Sequence, residues 1–558
     1  MARYDRKYVE PNIKDYDQER RKFKLDIPEE YNFGFDVVDT WAEDRTKVAL
    51  LSVDPNGENA QRHTFWDLKV MSNKFANMLR GLGIKKGDRV FIMLPRIPEW
   101  YFAVLGMFKL GVIPMPATVL VTSREIDYRV NRAEACAVIT DVDNAPKAEE
   151  VRDKLPSVKH YISVRGKFED WLCFEEAMEK ASRDLDRRSV KPTKRDETML
   201  LFFTSGTVKY PKMVLHPHSY AVAHTVTARY AQDLKSTDLH WTLSDTGWAK
   251  CAWGKLFGQW IVGATVFQHN AKGAFNTDLT LGIIERYGIT TLCAPPTAYR
   301  MMVLQDLSKY DLSNLRHCCG AGEPLNPEVI EVWKRGTGLD IYDFYGQTET
   351  VCVVSNYRCM PIKPGSMGKP TPIFDVSLVD SHGNEVPNGE EGHLAIRVKP
   401  DYPYGLFKEY WKEAEEMAEV FKGDWYYTGD RAYRDDEGYF WFVGRADDVI
   451  ISAGYRIGPF EVESALVEHP AVAESAVVSS PDEIRGEIVK AFVVLAPGYQ
   501  ASDQLTKDLQ DHVRNVTAAY KYPRQIEYVR ELPKTISGKI RRVELRKAEW
   551  ERKGSLNQ

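Results

Sequence analysis

The chain's 558 residues exceed what one hydrophobic core normally serves, so two or more domains are expected. Hydrophobic residues at 43% and charged residues at 28% place it in the ordinary soluble range. A net charge of -5 and a pI near 6.2 exclude a basic field for nucleic acid and a polybasic membrane anchor, so a polyanionic ligand needs a local pocket.

The start, Met1-Ala2-Arg3-Tyr4-Asp5-Arg6, has no apolar signal core, and Asp5, Glu10 and Asp15 argue against a transit peptide. From about residue 60, helix and strand patterns alternate. Leu68, Met71, Phe75, Met78, Leu79 and Leu82 recur at helical spacing, and Gly83 and Gly87 break the chain before a strand over 90–94. A helix over 99–110, a strand over 112–115, a helix opened by the capping-box pair Thr122 and Glu125, and a strand over 137–140 follow. This series predicts a parallel sheet covered by helices. The charged, aperiodic stretch 183–196 reads as a solvated linker. Beyond it the alternation resumes, and Asn326-Pro327 has the residues of a helix start. From about 366 the pattern changes to hairpins, with turns at 381–384 and 435–438, which predicts a smaller β subdomain. After Arg445 a compact α+β segment reaches the C-terminus.

The eight cysteines include no C-x-x-C pair, and no histidine stands at ligand spacing from them, so they read as reduced thiols of an intracellular protein without structural zinc. No apolar run approaches the length of a membrane span. The expected location is the cytoplasm.

The apolar run 201–203 enters Thr204-Ser205-Gly206-Thr207-Val208-Lys209-Tyr210-Pro211-Lys212, a hydroxyl-rich turn that closes on a lysine. Exposed N–H groups, hydroxyls and an ammonium are what a backbone uses to cradle phosphates, and Gly206 lets the main chain come close. The pattern is not the Walker loop, since Pro211 stands where a second Gly should precede Lys212, and Met213 has no hydroxyl for Mg2+. A polar strand-to-helix turn is the plain alternative.

Further motifs follow in order: Gly320-Ala321-Gly322-Glu323-Pro324, Asp343-Phe344-Tyr345-Gly346-Gln347-Thr348-Glu349, Tyr427-Thr428-Gly429-Asp430, Gly444-Arg445-Ala446-Asp447, Gly454-Tyr455-Arg456-Ile457-Gly458-Pro459 and Pro533-Lys534-Thr535-Ile536-Ser537-Gly538-Lys539. Together with the phosphate loop they resemble the adenylate-forming superfamily, most closely its AMP-forming medium-chain acyl-CoA synthetases, over essentially the whole chain.

The resemblance implies an α/β fold. An N-terminal adenylation domain, 1–445, would hold two parallel-sheet α/β subdomains and the β subdomain at about 366–445. A small mobile α+β domain, 446–558, would turn about a hinge at Asp447. The implied reaction has two steps: a carboxylic acid attacks the α-phosphate of ATP to give acyl-AMP and pyrophosphate, and the CoA thiol then attacks the acyl carbon. Attack of one anion on another needs positive charge at the reacting centre. Lys539 resembles the family's catalytic lysine, Arg456 the arginine that meets phosphate, and Thr348 a further phosphate contact. Glu349 resembles the Mg2+ carboxylate, and one carboxylate with phosphate oxygens suffices for that ion. Asp430 offers two acceptors to a ribose, with Arg445 as second ribose contact. The segments Gly322-Glu323-Pro324 and Asp343-Phe344-Tyr345, continuing through Gly346 and Gln347, resemble the adenine-binding walls. Ala453, Gly454 and Tyr455 resemble the segment that replaces Lys539 and lines the pantetheine tunnel after rotation, and Arg485 and Tyr522 to Arg524 resemble CoA nucleotide contacts. Trp248, Lys250, Trp253, Cys293 and Gly346 fall where the family lines its acyl site.

The chain departs from the family at two places. Val208 and Lys209 stand where the phosphate loop usually has Thr and Gly, which predicts weaker ATP use than in a Val208→Thr, Lys209→Gly variant. Gly346 stands where short-chain members place a Trp, which opens the acyl pocket, while Trp248 and Trp253 bring indoles back to it. The expected acids are therefore medium-chain, branched or aryl. Lys250 has two open placements, toward solvent or on the substrate carboxylate. A small-molecule acid, ATP and CoA are the expected partners, with oligomeric state undetermined. The competing readings are an enzyme that loads the phosphopantetheine of a carrier protein and a non-catalytic nucleotide or acyl-AMP binder.

Overall fold

The computed structural model describes residues 9–556, apart from 205–210, 453–454, 483–484, 519 and 536–537. The βαβ series read from the sequence forms a five-stranded parallel sheet in the order Ile113–Pro116, Arg89–Met93, Ala137–Asp141, His160–Val164, Leu172–Cys173. Thr64 starts the helix Phe65–Gly81, its hydroxyl accepting from Asp67 N at 3.1 Å while Asp67 Oδ2 accepts from Thr64 N at 2.8 Å. Thr122 and Glu125 make the same reciprocal cap on Ser123–Ala133. The helix Pro98–Leu110 is apolar nearly all round and accordingly buried at every residue but Glu99. Gly106 lets it approach its neighbour, since a Cβ there would stand 2.7 Å from Ser72 O.

A second, nine-stranded sheet carries the site. Its parallel centre runs Ile341–Tyr345, His317–Gly320, Thr291–Ala294, Leu239–Thr242, Thr265–His269, Val48–Val53, with short antiparallel strands at the edges. Ligands of open α/β sheets bind beyond the carboxyl ends of the strands. Here those ends lead into Gly320-Ala321-Gly322 and Tyr345-Gly346-Gln347. Asn326 caps the helix Pro327–Thr337, its Oδ1 accepting from Glu328 N at 2.9 Å.

The hairpin grammar after 366 forms an antiparallel sheet of Val376–Val379, Glu391–Arg397, Trp425–Arg434 and Phe421–Lys422, with Phe440–Arg445 paired to Trp425–Arg434. Beyond it, Ile450–Ser452, Tyr455–Ile457, Val472–Asp482, Gly486–Leu495 and Gln525–Tyr528 make a separate sheet packed by the helices Pro459–Val467, Asp503–Val516 and Arg542–Leu556. Among the described residues no helix is long and apolar enough to cross a membrane.

One expectation changes, and the plain alternative for the phosphate-loop stretch falls: Thr198–Phe203 pairs antiparallel with Met213–Pro217, so the chain between them joins two strands and not a strand and a helix. The stretch 183–196 is not simply solvated. Arg187 pairs with Asp36, Thr193 is buried and donates to Tyr31 O at 2.7 Å, and Arg195 donates to Ile27 O at 2.6 Å. These partners lie far away in sequence, where a local charge pattern carries no information.

Candidate active site

A cavity of about 610 Å³ opens between the carboxyl ends of the nine-stranded sheet, the β subdomain and the C-terminal sheet. Thr204, Lys212, Gly322, Glu323, Pro324 and the run Asp343 to Glu349 line it. Asp430, Arg445, Asp447, Gly538 and Lys539 join them from the later part of the chain. Pro211, whose carbonyl accepts from the Tyr128 hydroxyl, is not among the lining residues. Ser205, Gly206, Thr207, Val208, Lys209 and Tyr210 lie outside the described residues, as do Ala453 and Gly454. The backbone of Arg456 belongs to the Tyr455–Ile457 strand, and its side chain is outside the described part.

Asp430 is 4% exposed and already oriented. The Tyr345 hydroxyl and Gln347 Nε2, at 2.8 Å, donate to its Oδ2, and Arg445 Nη1 lies 3.3 Å from Oδ1. The carboxylate in turn pushes the Arg445 pKa up, so this arginine stays charged at any working pH. Gln347 is itself held by Thr428 O at 2.7 Å and the Tyr426 hydroxyl at 3.0 Å. Burial pushes the Asp343 carboxyl well above the usual range, and its Oδ1 has no hydrogen-bond partner among the described residues.

At the Thr204 end of the cavity, Thr204 N donates to Lys212 O at 3.0 Å and Lys212 N to the Thr204 hydroxyl at 3.0 Å, which closes the Thr198–Phe203 and Met213–Pro217 pair at its end. Glu349 accepts from the Tyr410 hydroxyl at 2.7 Å. Burial pushes the His216 pKa down to about 3, so its ring is neutral and Nε2 donates to Thr348 O at 2.8 Å, fixing the carbonyl beside Glu349. Glu323 is held by Thr297 Oγ1 at 3.1 Å and Arg300 Nη2 at 3.3 Å.

The Lys539 turn is tight: Thr535 N donates to Lys539 O at 2.7 Å, and Gly538 takes a φ of 89° that favours glycine. Contacts between the C-terminal sheet's helices and the rest of the chain include Asn326 Nδ2 donating to Ser464 O at 3.2 Å and an edge contact between Phe442 and Phe460. At Asp447 the carbonyl accepts from Arg546, whose guanidinium also lies 2.9 Å from Asp448 Oδ1.

The open placement of Lys250 resolves inward, where Nζ donates to Ala321 O at 2.6 Å and burial lowers its pKa. Cys293, buried at the end of its strand, is pulled down by the Cys319 thiol and by Lys250. Trp253 is buried and stacks on Phe344 with ring centroids 5.9 Å apart, and its carbonyl accepts from Gln259 Nε2 at 2.9 Å and Gln232 Nε2 at 3.2 Å. Trp248 is half-buried. Gly346 opens no free space, because the Trp253 ring fills the position.

Among the described residues, the CoA-assigned Tyr455, Arg485, Tyr522 and Arg524 do not line this cavity. Tyr455 is 54% exposed and stacks on Tyr520, with centroids 4.5 Å apart. Arg485 N donates to Asp482 Oδ1 at 2.8 Å, and Tyr522 sits between Arg514 and Arg524. The sequence reading missed Arg300, Tyr410, Glu416 and Arg542, which also line the cavity. Only Arg300 had a usable signal, a cation one helical turn after Pro295-Pro296 at a strand end; the glutamate sits in an acidic run that resembles any solvated helix face.

The AMP-binding enzyme model matches residues 38–411 and the AMP-binding enzyme C-terminal domain model residues 461–539. The chain belongs to the AMP-binding enzyme family. Family relatives include the mouse acyl-coenzyme A synthetase ACSM3, mitochondrial, 47% identical over 97% of this chain and 94% of that protein. The human ACSM4, mitochondrial, is 47% identical over 94% of this chain and 91% of that protein. Among solved AMP-binding structures, the anthranilate CoA ligase AuaEII in complex with anthranoyl-AMP superposes with a TM-score of 0.86 at 32% identity, covering 94% of this chain and 98% of its own. A Brucella canis acyl-CoA synthetase gives 0.75 at 36% identity, covering 97% and 100%. The chain is accordingly an acyl-CoA synthetase, an acid–thiol ligase that binds ATP and uses CoA. The expected cytoplasmic location does not stand, because the relatives are mitochondrial by name. The N-terminal composition on which it rested reports local charge and says nothing decisive about compartment.

Proposed function

We propose that this cavity adenylates a medium-chain, branched or aryl carboxylic acid and that the same C-terminal region then turns about Asp447 to admit CoA. The observation that carries the reading is the joint lining of one cavity by Thr204, Lys212, Asp430 and the Gly538-Lys539 turn. Asp430, pre-oriented by Tyr345, Gln347 and Arg445, would take the ribose hydroxyls, and Asp343 Oδ1 is a spare acceptor for the adenine amino group. Lys539 would lie between the carboxylate and the α-phosphate and offset their repulsion. Thr348, Lys212 and Arg456 would take phosphate oxygens. Trp253 and Trp248 would bound the acyl chain, with Lys250 and Cys293 below it.

Mg2+ fits Glu349, a nearly buried carboxylate with one oxygen fixed by Tyr410. No cluster of three or more His, Cys, Asp or Glu stands among the described residues, so phosphate oxygens would complete the shell, and the ion would supply neutralising charge at the triphosphate. Tyr455, Arg485, Tyr522 and Arg524 would meet CoA after rotation. One assay tests the reading: ATP–pyrophosphate exchange across a panel of acids, with and without CoA. Exchange and thioester formation are expected for acids of intermediate size. Exchange without thioester would point to carrier loading, and no exchange with any acid to a binder.

A further inference from the structure

Lys212, which closes the phosphate loop, is ion-paired with Glu416 of the short helix Ala414–Val420. The pair is sheltered: 28% of the lysine side chain and 14% of the glutamate side chain stay exposed, and the ammonium lies 4.8 Å from the centroid of the Tyr410 ring. Both residues line the cavity beside Thr204, Thr348 and Glu349. The loop's lysine therefore holds a carboxylate where it would hold a phosphate oxygen. Of the neighbouring acids, Glu413 pairs with Arg132 at 2.8 Å, Glu415 is exposed, and Glu419, which also lines the cavity, is exposed.

We propose that Glu416 is an internal competitor for Lys212 against ATP and pyrophosphate, an inference that rests on the adenylation reading above. A pair partly withdrawn from water attracts more strongly than one on the open surface. ATP has to break it, and the displaced carboxylate then stands beside a polyanion, where like charges disfavour each other. ATP accordingly binds less tightly than the cations alone would allow. The same contest helps after chemistry, because Glu416 takes Lys212 back as pyrophosphate leaves. Ground-state affinity is lowered and release is eased, which favours turnover.

Glu416→Gln keeps the shape and removes the charge. The KM for ATP in pyrophosphate exchange and the inhibition constant of pyrophosphate should each fall roughly three- to tenfold. Affinity for AMP, read by calorimetry, should not change, because AMP lacks the β- and γ-phosphates that reach the lysine. Glu415→Gln, on the exposed side of the same helix, should leave all three constants as in the wild type. Unchanged ATP and pyrophosphate constants overturn the proposal, as does equal tightening of AMP or an equal effect of Glu415→Gln. Weaker ATP binding with a steeper Mg2+ requirement overturns it too, and makes Glu416 a metal ligand. If the glutamine variant does not fold, Glu416→Asp, which keeps the charge but lengthens the pair, should show a smaller shift in the same direction, and no shift counts against the idea. Absence of exchange in the wild type with every acid would instead sink the adenylation reading, and calorimetric ATP binding would still report on Glu416.

Discussion

The Trp253 indole stands directly against Gly346: a Cβ built on that glycine would lie 2.0 Å from Trp253 Cη2. The ring is stacked on Phe344 and its backbone is tied down by Gln232 and Gln259, so it has little room to retreat. Gly346→Ala should therefore destabilise the fold by about 1–3 kcal/mol and cut kcat/KM for bulky acids more than for small ones. A urea titration and a chain-length series read the two effects. Equal kcat/KM losses for propionate and octanoate would contradict this account of the wall.

Trp253→Leu should move the preferred acid to a longer chain. Each extra methylene buried in the enlarged pocket is worth about 0.8 kcal/mol until a new wall is met. The ratio of kcat/KM for decanoate to that for hexanoate, compared between variant and wild type, checks it. An unchanged ratio means that Trp253 packs the core without bounding the substrate.

Lys539→Ala should abolish adenylation, measured by pyrophosphate exchange, while thioester formation from supplied acyl-AMP and CoA is largely kept. Lys539 lines the cavity while Tyr455, Arg485, Tyr522 and Arg524 do not, so under the proposed roles the two half-reactions would use different faces of the C-terminal sheet. Similar damage to both half-reactions would show that the lysine has another role.

Lys255 is 1% exposed, and its ammonium donates to the amide oxygen of Gln268 at 2.6 Å. Burial lowers its pKa from the usual 10.5 to about 7. Between those values the unfolded chain holds a proton that the folded chain lacks, so stability rises with pH across this window and is flat below it. Lys255→Met should be more stable than the wild type at pH 6, with the advantage shrinking as pH approaches 10. Urea midpoints at several pH values measure it; an advantage that grows with pH contradicts the assignment.

Much of this architecture was legible from local pattern. The caps at Thr64, Thr122 and Asn326 act through residues a turn away, so they show directly in the sequence. Asp430, Arg445 and Lys539 could be picked out because each directly follows a glycine in a short motif whose order resembles the family's. The strand partner of the phosphate loop, the packing of Trp253 on Gly346 and the Lys212–Glu416 pair could not, since each depends on which distant segment folds against it. The strand-to-helix alternative after Phe203 could not be set aside from the sequence, because Met213–Pro217 is a short run and periodicity does not assign such runs. Localisation failed for a different reason: composition near the N-terminus constrains solubility, and compartment is not a folding property.

Tyr410 and Glu409 extend the phosphate-loop hairpin by a third strand, Tyr410 opposite Val214 and Glu409 opposite Leu215, and the Tyr410 hydroxyl reaches Glu349. The hairpin at the loop's base and the proposed ion carboxylate are thus joined through one side chain. Any outward displacement of the hairpin is transmitted through Tyr410 to Glu349, so the departing diphosphate and its counter-ion should leave as one package, with a single rate.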